Sequence, residues 1–310
     1  MADRVMVFAP APVLTVTIER QAGAVELHVH PGGQGVWQAR MILSLGVPVT
    51  LCAAMGGEVG GVLGKLLAEE DASLRAVHRG AGSGWYVHDR RSGSRAEIAA
   101  DPGAPMGRHD LDELYNVALA EGLRSQVSVL SGPAHPSVVA PDVYRRLAAD
   151  LTGNGGQVVA DLCGDHLDAV LAGGVTVLKV SHEQLIEDGR AGSDAVPELA
   201  AAGQRLRAAG AATVLVSRAD QPALALLEDR VLEVAVPRLQ VAEPRGAGDS
   251  MSAGVAAVLA RGGGLTEAIC TGAAAGALNV TRHGLGTGRL EAVRELTARV
   301  RLTPLDPAGA

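Results

Sequence analysis

Glu243-Pro244-Arg245-Gly246-Ala247-Gly248-Asp249-Ser250-Met251-Ser252-Ala253-Gly254 is the most informative stretch of the chain. It follows two β-rich runs at 223–228 and 231–236 and opens an apolar helix predicted over 248–261. Gly-Ala-Gly at a helix start leaves several backbone N–H groups without intrahelical partners, at the end where the helix dipole favours negative charge. Small residues let an anion approach the backbone closely. Asp249, in the first turn, can take a proton from an attacking hydroxyl. Donors for an anion thus stand beside a base for a nucleophile, the pairing that phosphoryl transfer needs. The same residues also fit a plain glycine-rich turn whose Asp caps the helix, so the surroundings decide.

Working outward, Val127–Ser131, Gln157–Asp161, Thr176–Lys179 and Thr213–Ser217 are short β-rich runs, and Val5–Ala9 is a fifth. Helical segments are predicted at 35–45, 59–70, 110–122, 141–151, 164–172, 194–209, 265–280 and 290–299. Repeated β-α-β alternation predicts an α/β fold, a mostly parallel central sheet between helical layers, with ligands beyond the C-terminal strand ends. Thr15–Glu19, Glu26–His30, 84–88 and 94–99 alternate polar and apolar residues instead. That pattern marks half-exposed antiparallel strands. They predict a small β-sheet lid, with strands within about 13–31 and 83–100, inserted in a single domain spanning 1–310. The tail from Thr303 is predicted to fray.

Composition sets the bounds. The chain has 310 residues with a formal net charge of −7 and no Lys/Arg cluster, which argues against nucleic acid or an anionic membrane as partner. The longest apolar stretches, Met41–Gly57 and Ser125–Pro141, are broken by Gly, Pro and Ser, and no membrane helix or secretory signal is predicted. Cys52, Cys163 and Cys270 are odd in number and far apart, as expected of thiols in a reducing cytoplasm. Trp, Tyr and Phe total only six, so the core must be built from Ala, Val and Leu.

A second glycine-rich helix start, Pro31-Gly32-Gly33-Gln34-Gly35-Val36-Trp37, lies some 210 residues ahead of the first. With SLGVPVTLCAAMGGEVG at 44–60, VLSGPAHPS at 129–137, VVADLCGD at 158–165 and NVTRHGLGTG at 279–288, it resembles the PfkB (ribokinase-like) carbohydrate kinases over almost the whole chain. The order of features resembles the 1-phosphofructokinase and tagatose-6-phosphate kinase subgroup. The resemblance implies a ribokinase-like three-layer sandwich with a β-lid, ATP and Mg2+ as cofactors, and transfer of the γ-phosphate to a hydroxymethyl group of a sugar-like substrate. It implies Asp249 as catalytic base and Gly246, Ala247 and Gly248 as the anion hole. It places Gly32, Gly33, Gln34 and Trp37, with Trp85 on the lid, at the substrate. It places Lys179, Ser181, Ser217, Arg218, Arg245, Gly248 and Asn279 at the nucleotide, and it suggests a homodimer through the lid.

The departures are specific. Val13 stands where the family carries an Asp for sugar hydroxyls, Gln34 replaces a Lys and Trp37 an Asn. The lid reads Ser83-Gly84-Trp85-Tyr86-Val87-His88 in place of Thr-Arg-x-Asn-x-Lys, so the cations that hold a substrate phosphate are largely missing. Each such cation contributes about 1.5–3 kcal/mol. The sequence therefore predicts a neutral acceptor with an apolar or planar face, stacked on Trp37 and Trp85. In Lys179-Val180-Ser181-His182-Glu183-Gln184, Gln184 replaces a magnesium-organising carboxylate, and Glu183 points about 100° away on a helix. Ser217-Arg218-Ala219-Asp220-Gln221-Pro222 has lost two glycines, with Arg218 or Arg245 left to touch phosphates. Two other readings follow from these losses: a nucleoside kinase of the same fold, and a catalytically weak sugar or nucleotide binder.

Weaker constellations are His28 with His30, and Asp161, Asp165, His166 and Asp168 after a core strand; three or four converging ligands would make either a metal site. His135 and Arg95 reach either the cleft or the surface. The metal ligands are not identifiable from spacing.

Overall fold

The computed structural model describes residues 3–21, 23–93, 95–281 and 286–305. In chain order the elements are β1 (Val5–Phe8), β2 (Val13–Gln21), β3 (Ala24–Gly32), α1 (Gln34–Ser44), β4 (Val49–Gly56), α2 (Gly57–Ala68), β5 (Ser73–Arg79), β6 (Ser83–Asp89) and β7 (Ala96–Gly103). There follow α3 (Arg108–Gly122), β8 (Val127–Ser131), α4 (Asp142–Gly153), β9 (Gln157–Asp161), α5 (Gly164–Gly173), β10 (Val175–Ser181), α6 (His182–Glu187), α7 (Val196–Ala208) and β11 (Ala211–Arg218). The last third holds β12 (Gln221–Leu226), β13 (Val231–Ala235), α8 (Ala247–Ala260), α9 (Leu265–Asn279), α10 (Leu290–Thr297) and β14 (Arg301–Pro304).

Ten strands form the main sheet in the order β14-β13-β12-β11-β10-β9-β8-β1-β4-β5. From β5 to β11 every pairing is parallel, and β11 to β14 are antiparallel. Strand alternation divides the apolar side chains between two cores: Met6 and Phe8 of β1 join α3, α4, α5 and α7, whereas Val5 and Val7 join α1, α8, α9 and α10. The central strands are apolar runs because helices cover both faces. With few aromatics, close backbone approach fills space. A Cβ on Gly254 would stand 2.7 Å from the Cα of Gly272, so α8 and α9 can touch only through glycine. The single phenylalanine, Phe8, meets Tyr144 edge-on at 5.5 Å between ring centres.

Two strands were not legible as strands. β4 is wholly buried but carries Cys, Ala, Ala, Met and Gly, which have little β preference, and β5 is a half-polar sheet edge. The predicted fraying of the tail is corrected at its start: Thr303 and Pro304 pair with Glu233 and Leu232. Pro304 is tolerated because β14 is an edge strand. Residues 306–310 lie outside the described residues, as do Ser94 of the predicted 94–99 run and Arg282–Leu285 of the NVTRHGLGTG stretch.

β3-β2-β6-β7 form the expected separate four-stranded sheet, the lid. Only its two hairpins are antiparallel: β2 and β6 pair in parallel, because the chain returns to the lid through α1 to β5 of the body instead of through a tight turn. Its register sorts the residues into two faces: Thr15, Thr17, His28, His30, Tyr86 and His88 on one, Leu14, Val16, Ile18, Leu27, Val29, Trp85 and Val87 on the other. The second face leaves Leu27 64% exposed. Among the described residues no helix is long and apolar enough to cross a membrane.

Candidate active site

The C-terminal ends of β8, β9 and β10 and the start of α8 converge, as expected for a parallel sheet. Register sets Asp161 of β9 beside Lys179 of β10. Lys179 Nζ donates to Asp161 Oδ1 at 3.4 Å, and Ser252 Oγ donates to Oδ2 at 2.9 Å. Both partners of the ion pair are buried, so each charge depends on the other. Lys179 runs directly beneath α8: a Cβ on Gly248 would fall 2.2 Å from Nζ, so any larger residue there would displace the end of the lysine. Gly246 adopts φ 74°, ψ 4° at the N-cap, and no side chain caps the helix. The first-turn N–H groups thus stay free for an anion.

Asp249 is half-buried beside them. Burial, then the negative charge of Asp161, lift its carboxyl to about 7, against the pull of Lys179 and a hydrogen bond from Gln34. Gln34 is oriented from its other end, where Oε1 accepts the Gly132 N–H at 2.6 Å. Gln34 therefore touches the base itself, a contact that its place among the expected substrate residues did not reveal. Gly33, at φ 103°, is the N-cap of α1, and Gly35 lets α1 start against Ala9, where a Cβ would stand 2.4 Å from the Ala9 Cβ.

Above this floor the lid meets the loop leading into α8. Arg90 Nη2 donates to Glu243 Oε2, and Arg95 Nη2 contacts His88 Nε2. Arg95 also lies 5.5 Å over the Tyr86 ring, whose centre is 4.5 Å from that of His88. Burial, then the charges of Arg95, Arg245 and Arg90, push His88 down to about 4, so its imidazole is neutral. Burial and then Arg245 also lower Arg95. Arg95, expected at either the cleft or the surface, stands at the lid seam against His88 and Tyr86; Tyr86, His88 and Arg90 were not singled out from sequence as site residues. Trp85 was, and alternation sets it on the opposite lid face, paired with Leu14. Parity along β6 carried that information; aromatic rarity did not.

The remaining predicted residues are placed as follows. Trp37 is half-buried one turn beyond Gln34, with its carbonyl against Gly286. Gly32 lies under Thr15 and Tyr86 on the inner lid face. Ser181 and Gln184 form a reciprocal cap of α6, with Gln184 Oε1 accepting the Ser181 N–H at 2.8 Å. Ser217 is level with Ser181 in the sheet. Arg218 donates to the carbonyls of Pro222 and Asp194, each at 3.3 Å. Arg245 is exposed, and Asn279 is fully buried, donating from Nδ2 to the Arg245 carbonyl at 2.7 Å while Oδ1 accepts the Gly286 N–H at 3.0 Å. Asn279 thus braces the loop before Gly246, with both ends of its amide engaged.

His166 Nε2 donates to the Val139 carbonyl at 2.7 Å, and Asp168 pairs with Arg190 at 2.8 Å, so that cluster does not converge. His28 is bracketed by Glu19 and Glu26. Among the described residues no group of three His, Cys, Asp or Glu could hold a metal. Burial raises the Cys52 thiol to about 12, so it is unreactive.

The pfkB family carbohydrate kinase model matches residues 13–292. The chain belongs to that family. It is 27% identical over 278 residues to the 1-phosphofructokinase of Bacillus subtilis, covering 89% of each chain. The phosphofructokinase-2 of Escherichia coli, solved in complex with potassium, superposes with a TM-score of 0.84 at 25% identity, covering 96% of this chain and 99% of that one. A ribokinase from Arabidopsis thaliana, solved with ribose and ATP, shares the fold at a TM-score of 0.73 and 19% identity, covering 96% and 99%. This chain is a ribokinase-like carbohydrate kinase, and its reaction is ATP-dependent phosphoryl transfer to a sugar.

Proposed function

We propose that Asp249 removes the proton from a hydroxymethyl group of the acceptor while the first-turn amides around Gly246, Ala247 and Gly248 hold the charge on the phosphoryl group in transit. Lys179, pinned by Asp161 beneath Gly248, adds a fixed positive charge on the same side. The observation that carries this reading is Asp249 beside uncapped helix N–H groups, with its carboxyl lifted to about 7, a value suited to a base near neutrality. Asp249→Asn should lower kcat by at least about 10²-fold with ATP affinity nearly intact. Undiminished turnover in that variant would overturn the assignment.

The acceptor on this reading carries a phosphate, as the substrates named for the bacterial relatives do. The sequence alone predicted a neutral acceptor because the usual lid cations are absent. Arg90, Arg95 and Arg245 gather at the lid seam from other positions, and that convergence supports an anionic acceptor. Stacking on Trp85 drops out, and with it the main support for a nucleoside acceptor.

The residues present do not fit a protein-held magnesium ion. Gln184 is engaged with Ser181, and Asp161 with Lys179 and Ser252. Mg2+ on this reading comes with ATP, held by the nucleotide's own phosphates. The chain works as one unit with the lid inserted, in the cytoplasm where ATP is supplied, and the apolar outer lid face pairs with a second copy.

A further inference from the structure

Gln34 opens α1, and its side chain joins the end of β8 to Asp249. The two ends of a glutamine amide have the same shape, so hydrogen-bond partners decide which is oxygen and which is nitrogen. Here one partner leaves no choice. The Gly132 N–H is a donor, so the atom 2.6 Å from it is the oxygen of Gln34. The chain around that N–H is itself held. Tyr144 Oη donates to the Ser131 carbonyl at 2.9 Å, and Ser131 Oγ donates to Oε1 of Gln38, one turn further along α1. Tyr144, Ser131 and Gln38 are all fully buried. Gly35 lets the start of α1 close on the same strand end: a Cβ there would stand 3.0 Å from Ser131 Oγ.

With Oε1 committed to Gly132, the end of Gln34 that meets Asp249 is the NH2 group, which can only donate. A donor holds a bare carboxylate oxygen and keeps a proton off that side of it. The charged groups that act on Asp249 are Asp161 of β9 and Lys179 of β10, and they pair with each other beneath α8. We infer that Gln34 is a positioning residue: its amide binds one oxygen of Asp249 and thereby assigns the other as the oxygen that receives the acceptor's proton. In the transfer step the hydroxymethyl O–H bond breaks and its proton goes to that second oxygen. The electron pair left on the hydroxymethyl oxygen goes to the γ-phosphorus of ATP, and the bond to the bridging oxygen of ADP breaks. The inference rests on the reading of Asp249 as base and deepens it: the base works through one defined oxygen.

Two substitutions separate the two ends of Gln34. Gln34→Glu keeps an acceptor for Gly132 but faces Asp249 with an oxygen; Gln34→Lys keeps a donor for Asp249 but gives up Gly132. In Gln34→Glu the two carboxylates share a proton. The acid limb of kcat/KM should then move up by about one unit or more and kcat at pH 7 should fall about tenfold, with both KM values within about twofold. Gln34→Lys should keep kcat within about threefold and move the limb below that of the natural chain. Carboxyl NMR follows Asp249 without turnover, its resonance identified by loss in Asp249→Asn. The titration should move up in Gln34→Glu, down in Gln34→Lys, and up by a smaller amount in Gln34→Met, which removes both ends. A mechanical hold on Gly132 alone predicts the reverse order of activity, Gln34→Glu like the natural chain and Gln34→Lys impaired. That order, or an Asp249 titration unmoved by the substitutions, would overturn the inference. If no sugar is phosphorylated in an Asp249-dependent way, the reading of Asp249 as base fails instead, and the NMR titration still decides whether Gln34 donates to it.

Discussion

Beneath α8 each charged group has a partner: Lys179 sits between Asp161 and the helix start, Ser252 takes the second oxygen of Asp161, and Gln34 braces Asp249. At the lid seam the balance is reversed, with Arg90, Arg95 and Arg245 against Glu243 alone. The floor is complete before any ligand arrives, as a site that must stabilise a transition state without reorganising should be. The roof is incomplete, and an incomplete charge set responds to what enters. The floor keeps the Gly246-Ala247-Gly248-Asp249 run that carries the resemblance, with Gln34 in place of a Lys, while the lid strand has lost the expected cations; chemistry is held by buried pairs, and recognition by exchangeable side chains.

The most damaging change to the floor should be Asp161→Asn. It strands Lys179 in a buried position, costing about 3 kcal/mol or more of stability, and it removes the charge that raises Asp249. Chemical denaturation should show the loss, and the acid limb of kcat/KM should move below pH 7. Lys179→Met should move that limb the other way, because the cation now pulling Asp249 down is gone. A limb that stays put in both variants would separate Asp249 from its neighbours and break the contrast.

Opening the roof should have a smaller effect. Arg90→Met or Glu243→Gln should raise the acceptor KM about tenfold, with more ATP hydrolysed per transfer. Exchanging the two charges, Arg90→Glu with Glu243→Arg, should recover coupling. Smaller again is an effect of pH on the resting protein. A carboxyl lifted from 3.8 to about 7 favours the fold while protonated, and that support is lost as pH rises through the folded value. Asp249→Asn should therefore raise Tm by an amount absent near pH 4, growing towards pH 7 and level above it. The smallest effect belongs to Ala219, which holds φ 48° where glycine is preferred. Ala219→Gly should stabilise by up to about 1 kcal/mol in thermal unfolding.

Much of this was visible in the sequence where the causes are local. Gly246–Asp249 carry their own geometry, and β1 and β8 to β13 are apolar runs between recognisable helices. What was hidden depends on distance or parity. Ser252 and Asp161 meet across 91 residues, and nothing in either neighbourhood announces it. The hairpin between β6 and β7 brings Arg95 back onto His88, restoring positive charge that the β6 sequence lacks. Trp85 was misplaced by a single step of strand alternation, since Tyr86 and His88 take the inner face. β4 was hidden by its Ala and Gly content, which only burial on both sides explains.

The most direct measurement is the pH profile of kcat/KM for ATP-dependent phosphorylation of fructose 6-phosphate and fructose 1-phosphate, in the natural chain and in Asp249→Asn. A rate that rises through about pH 7 with at least one of them, and is at least about 10²-fold lower with that limb erased in the variant, is the result expected of Asp249 as base. A variant that keeps both the rate and the limb would contradict it.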